Sequence, residues 1–428
     1  MLDIKFIREN KKLIEGAALS KGLKVNIEKL FKIDDKRRQY IQELDRLRQI
    51  HKKISKDESV YKHLNKGKAK EVTKSSLMRQ GGIKEKRKIK VIEKKLTIVN
   101  DEFKDLMYTL PNIPRKDVKI GKDETENEII REFGEKPNFS FKPNDYLEIS
   151  EKLDLIDVKR AAKVAGSRFG YIKGDLVLLQ FAIIQYTLEN LINSGFRPIL
   201  PPGMIKDESA QGLGYLEAGG EQDKYHFVKD KMYFIATAEH SIIPIHKDEV
   251  LLYKDLPKRY IGYSTNYRRE AGAYGKDTKG ILRVHQFDKV EMISFCLPSE
   301  SDKEHEFLLG QAEKLVQGLK IPYRIVKMCT GDLVFPSART YDIECWMPGQ
   351  NEYRETHSIS TCTDFQARRL NIKFRNKTNK SEYVHTLNGT AFALGRILIA
   401  ICENYQTANR TIIVPEILQK YIHLKEIK

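Results

Sequence analysis

Cysteine is scarce in this 428-residue chain, and its few copies are not grouped. The five cysteines are Cys296, Cys329, Cys345, Cys362 and Cys402, and no two of them form a CxxC pair. A zinc ribbon needs such pairs, and a disulfide framework needs an even number of cysteines. We therefore expect no zinc site, and we expect reduced thiols of the kind found in cytosolic proteins.

Long apolar runs are also missing. No stretch of 18 consecutive apolar residues occurs, so no membrane-spanning helix is predicted. The first ten residues include Asp3 and Glu9, and no apolar segment follows them, which is unlike a secretory signal. These absences predict a cytoplasmic protein that does not bind membranes.

The phosphate-binding motif GxxxxGK[ST] is absent too. A P-loop therefore cannot hold a nucleotide in this chain. Any bound phosphate must be held by other groups, and arginine is suited to this because its planar fork donates paired hydrogen bonds to phosphate oxygens.

Positive charge, by contrast, is abundant and unevenly distributed. The formal net charge is +17, and residues 1–110 contribute +14 of it, with 30 Lys and Arg against 16 Asp and Glu. Residues 52–90 are the most basic part, with 14 Lys and Arg against four acids. Such a segment is expected to bind nucleic acid with a steep salt dependence, because neutralised phosphates release counterions. A solvated helical face or a dimerisation coiled coil is the alternative.

The same basic region carries a heptad pattern. Apolar residues step by three and four in two series, which are Ile27, Leu30, Ile33, Tyr40, Leu44, Leu47, Ile50 and Ile54, and then Ile89, Ile92, Leu96, Val99, Phe103, Leu106 and Leu110. The pattern predicts an antiparallel coiled-coil hairpin over about 27–110. Residues 56–82 lose the pattern and contain Gly67, Gly81 and Gly82, so the chain is predicted to reverse or fray there.

A change of composition follows the heptads. Residues 111–137 are rich in proline, glycine and charge, whereas residues 138–428 have the mixed composition of a globular domain. We therefore predict a helical arm over 1–110, a linker over 111–137 and a globular domain over 138–428.

Two charged segments in the globular part predict an antiparallel strand pair. Arg268 and Glu270 precede a turn that contains Gly272, Gly275 and Gly280, and alternate spacing puts both side chains on one face. The second predicted strand presents Arg283, His285, Phe287, Lys289 and Glu291 on one face and Leu282, Val284, Val290 and Met292 on the other. Arginines and a phenyl ring on one surface suit a phosphate and a purine. A surface hairpin with solvent-facing charge pairs is the alternative.

Residues 385–406 begin as a polar strand and continue as a helix that is apolar nearly all round. Such a helix is expected to be buried. It carries Arg396 near its start, and a buried charge must be paired or used on a ligand.

These segments, together with GFRPILPP at 195–202, resemble the three signature motifs of class II aminoacyl-tRNA synthetases. Further motifs narrow the resemblance to the seryl-tRNA synthetases of bacterial type. They are TAE (237–239), REAG (269–272), RVHQFDKVE (283–291), PGQNEYRE (348–355), DFQARR (364–369), LNGTAFALGR (387–396), ENYQ (403–406) and VPE (414–416).

The resemblance implies an α+β fold, with an antiparallel α-helical coiled-coil hairpin that binds tRNA and a synthetase domain built on a mostly antiparallel β-sheet flanked by helices. It implies a serine–tRNA ligase that converts L-serine and ATP to seryl-adenylate and transfers serine to the 3′ end of serine tRNA. Magnesium would accompany ATP, and the 195–202 region would form a homodimer. Whether a selenocysteine tRNA is also charged stays open.

The resemblance also assigns site residues. Catalytic roles fall to Arg268, Glu355 and Arg396, and magnesium ligation to Glu355 and Ser358. The ATP-binding positions are Arg268, Arg269, Glu270, Arg283, Val284, Phe287, Glu355, Thr356, His357, Ser358 and Arg396, with Phe287 and Arg396 on either side of the adenine. The serine-binding positions are Thr237, Ala238, Glu239, Arg268, Glu291, Asn388 and Thr390.

Four positions depart from the family pattern, namely Val334, His357, Thr361 and Thr390. Thr390 keeps the hydroxyl of the usual serine.

Two other functions are open at this point. A ligase that loads an amino acid onto a carrier protein is expected to lack the basic arm, and a non-catalytic RNA-binding paralogue is expected to lose the charged ligand contacts first.

Overall fold

The computed structural model describes residues 2–64, 72–271, 277 and 279–428. Within them the chain forms two compact units. The helical unit comprises Leu2–Glu15 and Lys24–Leu110, and the sheet unit comprises Gly16–Leu23 and Pro111–Lys428. The predicted turn residues Gly67, Gly272 and Gly275 lie outside the described residues.

The helices are α1 (Ile4–Glu9), α2 (Lys11–Ser20), α3 (Ile27–Leu64), α4 (Val72–Tyr108), α5 (Tyr146–Leu153), α6 (Val158–Ala165), α7 (Asp175–Asn193), α8 (Asp207–Leu213), α9 (Glu239–Ile242), α10 (Ser301–Gly318), α11 (Phe365–Leu370), α12 (Leu394–Asn404) and α13 (Gln419–Ile422). The strands are β1 (Glu128–Phe133), β2 (Ile156–Asp157), β3 (Tyr171–Ile172), β4 (Arg197–Ile199), β5 (Met204–Lys206), β6 (His226–Phe227), β7 (Met232–Phe234), β8 (Val250–Leu252), β9 (Lys258–Tyr267), β10 (Gln286–Cys296), β11 (Tyr323–Lys327), β12 (Arg339–Met347), β13 (Glu352–Thr363), β14 (Lys373–Arg375), β15 (Ser381–Tyr383), β16 (His385–Ala393), β17 (Ile412–Ile413) and β18 (Glu426–Ile427).

The helical unit is dominated by α3 and α4, which pack side by side and run in opposite directions. Ion pairs link Lys29 to Glu102 at 3.1 Å and Arg48 to Glu93 at 2.9 Å, so early residues of α3 face late residues of α4. Their apolar contact is a buried cluster of Leu44, Leu47 and Ile92, with Tyr40, Ile89 and Leu96 packed around it. The predicted antiparallel helical hairpin is confirmed.

Both long helices extend further than the heptad pattern predicts. Helix α3 continues to Leu64, and α4 already includes Gly81 and Gly82, so most of the range 56–82, within which the chain is predicted to reverse or fray, is helical. A glycine inside a helix costs only about 1 kcal/mol relative to alanine, and packing against a partner helix can offset this. Residues 65–71 lie outside the described residues. Ile50, a predicted contact residue, is 38% exposed.

A single large sheet organises the sheet unit. Its strand order is β1-β11-β12-β13-β16-β10-β9-β4, and every neighbouring pair is antiparallel except β4 with β9. The predicted mostly antiparallel sheet is confirmed. Strand β1, which pairs with β11 at one edge, lies within the 111–137 range that the composition suggests as a linker.

Helices cover the sheet and bury its apolar face. The main core joins residues of α7, α10 and α12 to residues of β10, β12 and β16, and Phe392, Ile397 and Leu398 are fully buried in it. Within the described part of the chain, α7 alone has the length and composition that could cross a membrane. Close to half of that helix is buried inside the fold.

The five cysteines are all free and all buried. Cys296, Cys345 and Cys402 belong to the main core. Burial raises the pKa of Cys345 and of Cys402 to about 12, so both are held as neutral thiols.

Candidate active site

A cavity of about 410 Å³ lies in the sheet unit. Its wall is built by neighbouring strands of the large sheet (β13, β16 and β10), by the start of α12 and by the segment between β9 and β10. Most of the predicted site residues line it, namely Thr237, Glu239, Arg268, Glu270, Arg283, Val284, Phe287, Glu291, Glu355, Thr356, Ser358, Asn388, Thr390 and Arg396. The predicted site residues Ala238, Arg269 and His357 are not part of the lining.

The end of the β9–β10 pair differs from the prediction. Strand β9 ends at Tyr267 and β10 begins at Gln286, so Arg268, Glu270 and Arg283 lie on the connecting segment and not on strands. Hydrogen bonds still join the two chain segments just beyond the last strand residues. There the Arg268 amide donates to the His285 carbonyl at 2.9 Å, and the His285 Nδ1 lies 3.0 Å from the Arg268 carbonyl oxygen.

Glu270 reaches the cavity through an unusual backbone conformation. Its φ is 51°, in the left-handed region that a residue with a side chain seldom adopts. The turn brings its Oε2 to 3.2 Å from Arg283 Nη1. A strained backbone at a cavity wall is typical of a functional site.

Along β10 the predicted alternation is correct. Phe287, Lys289 and Glu291 line the cavity, while Val290 and Met292 are fully buried in the core. Val284, which alternation assigned to the apolar face, precedes the strand and lines the cavity. His285, assigned to the charged face, does not line it, and its ring centre lies 5.3 Å from that of Phe169.

A bulge in β13 brings Glu355 and Ser358 to the same side of the strand. Opposite β12, His357 pairs with Ile343 and Glu355 with Glu344, so Thr356 is the extra residue of a bulge. On a regular strand Glu355 and Ser358, three residues apart, would point to opposite faces. The bulge lets both line one cavity, together with Thr356 and Ser360.

Arg396 and Glu355 form the ion pair of this wall. The Arg396 Nη1 lies 2.9 Å from Glu355 Oε1 and donates to the Glu355 carbonyl oxygen at 2.9 Å. Desolvation by itself would raise the pKa of Glu355, but the nearby guanidinium groups, Arg396 above all, outweigh it and lower that pKa. Gly395 lets the backbone at Ile281 lie close to the start of α12, because a Cβ there would be only 3.3 Å from the Ile281 carbonyl oxygen.

Asp342 adds a further acid next to Ser358. The two residues face each other in the β12–β13 register, and burial, followed by the negative charge of Glu355, raises the pKa of Asp342 well above its usual value. Its Oδ1 is buried and has no hydrogen-bond partner among the described residues. No group of three His, Cys, Asp or Glu arranged for a metal ion is found in the described part of the chain. A cation here would need further oxygens from a ligand or from water.

Two buried carboxylates mark another part of the cavity. Glu239 and Glu291 are each only 2% exposed. The Lys289 Nζ lies 2.6 Å from Glu291 Oε2, and the Thr390 hydroxyl donates to the same oxygen at 3.2 Å. Burial lowers the pKa of Lys289, which Glu291 partly counteracts. Glu291 is therefore ion-paired and held in place from two sides.

Among the residues that the structure describes, no Lys or Arg forms an ion pair of this kind with Glu239. The Tyr215 hydroxyl lies 3.0 Å from both carboxylate oxygens, and Gln366 Nε2 donates to Oε1 at 2.7 Å. Burial, assisted by the nearby Glu291, raises the pKa of Glu239 to about 7, although the donated hydrogen bonds oppose this. The neighbouring Thr237 Oγ1 is buried without a partner among the described residues.

Tyr215, Lys224 and Lys289 are among the lining residues that were not predicted as site residues. Tyr215 and Lys224 lie on the chain between α8 and β6, where no periodicity gives a signal. Lys224 is 11% exposed at its side chain, and burial, followed by repulsion from Arg268, lowers its pKa to about 8. Lys289 was placed on the correct face by alternation but was given no role.

The predicted residues outside the lining have other surroundings. The Arg269 guanidinium lies 5.8 Å from the ring centre of Tyr225, and Ala238 is fully buried in a second apolar cluster. His357 has its Nδ1 2.8 Å from the Thr356 hydroxyl, and burial lowers its pKa to about 3, so its imidazole is neutral. Of the other departures from the family pattern, Val334 lines the cavity and Thr361 is fully buried.

Comparisons with known proteins agree over the whole chain. The family model "Seryl-tRNA synthetase N-terminal domain" matches residues 1–114, and the model "tRNA synthetase class II core domain (G, H, P, S and T)" matches residues 225–405. The chain is 41% identical to the serine–tRNA ligase of Dictyoglomus turgidum, across 100% of this chain and 99% of the relative.

Solved structures are similar as well. The seryl-tRNA synthetase of Pyrococcus horikoshii complexed with ATP matches with a TM-score of 0.86 and 39% identity, covering 100% of this chain and 99% of that one. The cytoplasmic serine–tRNA ligase of Naegleria fowleri in complex with AMP matches with a TM-score of 0.83 and 31% identity, with the same coverage.

Proposed function

Because this chain belongs to the seryl-tRNA synthetase family and is an ATP-dependent serine–tRNA ligase, we propose that ATP and L-serine bind side by side in the cavity of about 410 Å³. One observation carries the proposal, which is that two unlike sets of side chains share a single cavity wall. Arginines beside an aromatic ring suit a nucleotide, and two buried carboxylates suit a small zwitterion with a hydroxyl.

For ATP, we assign the α-phosphate to Arg268 and the adenine to the space between Phe287 and Arg396. The Arg268 Cζ lies 5.2 Å from the ring centre of Phe287, so a phosphate and a stacked base would be close together. The remaining nucleotide contacts are assigned to Glu270, Arg283, Val284, Glu355, Thr356 and Ser358. Arg269 and His357, which are not lining residues, are assigned supporting roles, with His357 fixing Thr356.

For serine, we assign the substrate carboxylate to Arg268, the ammonium group to Glu239 and the hydroxyl to Glu291. Thr390 and Lys289 hold Glu291 in position. A site built to hydrogen-bond a hydroxyl rejects alanine, because its own buried polar group is then left unpaired. Thr237 and Asn388 complete the pocket, and the buried Thr237 hydroxyl has no hydrogen-bond partner in the described part of the chain. Ala238 supports the pocket from the core.

Magnesium is proposed to accompany ATP. The donor set fits the ion, because the Glu355 carboxylate and the Ser358 hydroxyl both line the cavity and both offer oxygen atoms, which magnesium prefers. When bound, the ion would neutralise part of the charge on the phosphates.

The first step is proposed to need no nucleophile from the protein. An oxygen of the serine carboxylate attacks the α-phosphorus, the bond to the bridging oxygen breaks, and pyrophosphate leaves seryl-adenylate behind. Arg268 and Arg396 stabilise the developing negative charge, and the cavity aligns the two substrates. In the second step a terminal ribose hydroxyl of tRNA attacks the activated carbonyl and AMP leaves.

Serine tRNA is proposed to bind through residues 1–110, while residues 138–428 carry the chemistry and 111–137 join the two. Exposed basic residues such as Lys84, Arg87 and Lys88 follow one another along α4. Such groups would contact phosphates, so binding should weaken steeply with salt.

A cytoplasmic homodimer is proposed, with its contact around residues 195–202. Helix α7 exposes Leu178, Phe181 and Ile192, which are 50%, 57% and 46% exposed, and Leu200 is 79% exposed. Grouped apolar side chains of this size at a protein surface are typical of an interface.

The test is ATP–pyrophosphate exchange with each amino acid in turn. Serine alone should support exchange, and Arg268→Ala should lower it about 100- to 1,000-fold while tRNA binding on filters is retained. Arg160→Ala, an exposed arginine on α6, is the control and should behave as wild type. Near-normal exchange in Arg268→Ala would mean that the phosphate site is elsewhere.

A further inference from the structure

The segment 364–369, with the sequence DFQARR, reaches the proposed serine pocket through Gln366. This residue lies at the start of α11, and its side chain is fully buried. Its Nε2 donates to Glu239 Oε1 at 2.7 Å and to the Leu213 carbonyl at 3.3 Å. Its Oε1 accepts from the Thr386 hydroxyl at 2.6 Å. Every polar atom of the Gln366 amide is therefore satisfied.

The orientation of the Gln366 amide follows from its neighbours. A primary amide has one donating end and one accepting end. On one side stand two acceptors, Glu239 and the Leu213 carbonyl, and on the other stands the Thr386 hydroxyl, which can donate. If the amide were reversed, its oxygen would face the carboxylate and its NH₂ would lose two acceptors. Thr386 therefore favours the orientation in which Gln366 donates to Glu239.

We propose that Thr386 and Gln366 are positioning residues, which keep the Glu239 carboxylate ionised and oriented to receive the ammonium group of serine. The proposal rests on the serine-binding role assigned to Glu239 above. A donated hydrogen bond favours the charged form of a carboxylate, and a buried carboxylate without an ion-pair partner depends on such donors.

The electrostatic surroundings of Glu239 make these donors important. Its pKa of about 7 is already near neutrality, so at pH 7 the loss of one donor would leave it largely protonated. The titratable and charged groups that act on Glu239 or are acted on by it are Tyr215, Lys224, Lys289, Glu291 and Cys362. His240 and Arg268 line the same cavity. Burial and Glu239 itself raise the pKa of Tyr215 well above 10, and burial keeps His240 neutral, so Tyr215 is a neutral donor.

The experiment measures serine-dependent exchange in the full chain for Gln366→Met and Thr386→Val between about pH 6.5 and pH 9. Both variants keep the side-chain volume and remove one link of the hydrogen-bond chain. The KM for serine should rise about fivefold at pH 7 and return toward the wild-type value at high pH, since a loss of one donor raises the pKa of Glu239 from about 7 by about one unit and so lowers its ionised fraction at pH 7. The KM for ATP and the kcat at saturating serine should change less than about twofold.

Two further variants separate positioning from packing. Thr386→Ser keeps the hydroxyl and should restore the wild-type KM for serine. Thr187→Val removes a hydroxyl that is equally buried, but this hydroxyl donates to the Ile183 carbonyl at 2.6 Å and not to Gln366. It should leave the pH profile unchanged.

The outcomes are distinguishable. An unchanged KM for serine in both Gln366→Met and Thr386→Val overturns the inference, and so does an equal rise in the KM values for serine and ATP. If Gln366→Met does not fold, Thr386→Val with its Thr386→Ser rescue decides the question alone. A Glu239→Gln variant with a normal KM for serine would instead overturn the serine-binding role of Glu239 on which the inference rests.

Discussion

Arg396 on α12 and Glu355 on β13 are joined twice, once through the Glu355 carboxylate and once through its carbonyl oxygen, both at 2.9 Å. The sequence places them 41 residues apart. The second contact fixes the guanidinium to the backbone of the strand, so Arg396 does not depend on the rotamer of Glu355. The ion pair thus holds both groups at the cavity wall before any nucleotide arrives.

Removal of this guanidinium should weaken the nucleotide site. We expect Arg396→Ala to raise the KM for ATP at least about tenfold and to lower exchange by about 100-fold, because a cation and an adenine contact are lost together. The pKa of Glu355 should rise as well, since Arg396 contributes most to lowering it. ATP–pyrophosphate exchange at varied ATP concentration measures the KM for ATP and the exchange rate. A normal KM for ATP in Arg396→Ala would contradict the assignment.

Charge reversal on the helical unit should separate the two steps of the reaction. We expect Lys84→Glu combined with Arg87→Glu to leave serine-dependent exchange unchanged and to weaken tRNA binding, with the slope of log affinity against log salt reduced by about two. Lys159→Glu combined with Lys163→Glu, which changes charge equally on α6, is the control. Equal losses of exchange and transfer would contradict this division.

The buried Glu239 carboxylate should lower the free energy of unfolding of the protein at neutral pH. Its pKa in the folded protein is raised from 4.5 to about 7, so the folded protein keeps a proton that the unfolded chain releases. The stabilising effect of that proton is complete below about pH 4.5 and is lost as the pH rises to about 7. Glu239→Gln should therefore be more stable than wild type by up to about 3 kcal/mol at pH 8, and by little at pH 4.5.

Thermal denaturation at several pH values checks the Glu239 prediction. Glu416→Gln, at a carboxylate whose side chain is 83% exposed, is the matched control and should give a Tm that follows wild type at every pH. A Tm difference between Glu239→Gln and wild type that does not change with pH would exclude a raised pKa as its cause.

Thr390 should contribute to the recognition of the serine hydroxyl. We expect Thr390→Val to raise the KM for serine about five- to tenfold, because Glu291 loses a donor at 3.2 Å that fixes its orientation. The KM for ATP should not change. Thr390→Ser, which restores the residue usual in the family, should have the wild-type KM for serine. A wild-type KM for serine in Thr390→Val would contradict a role for Thr390 in serine binding.

Local patterns in the sequence were sufficient for the regular parts of the fold. The three-and-four spacing around Leu44 and Ile92 identified the helical hairpin, and the two-residue spacing of Phe287, Lys289 and Glu291 identified the cavity face of β10. These predictions succeeded because each depends on a period that the backbone imposes.

Residue periodicity does not predict the places where the backbone is irregular. The bulge at Thr356 has no glycine and no break in its pattern to announce it, and the left-handed turn at Glu270 ends β9 earlier than alternation predicts. Tyr215 and Gln366 contact Glu239 across 24 and 127 residues of chain. Contacts of that kind depend on the packed fold, and only the family resemblance placed Glu239 in the site beforehand.

The burial of all five thiols has a practical side. Thiolates react with alkylating reagents far faster than neutral thiols, and the high pKa values of Cys345 and Cys402 keep both protonated as well as covered. A maleimide should therefore leave the folded enzyme almost unmodified and label it only as its core opens. The native cysteines are in this way built-in reporters of unfolding, for which no engineered probe is needed.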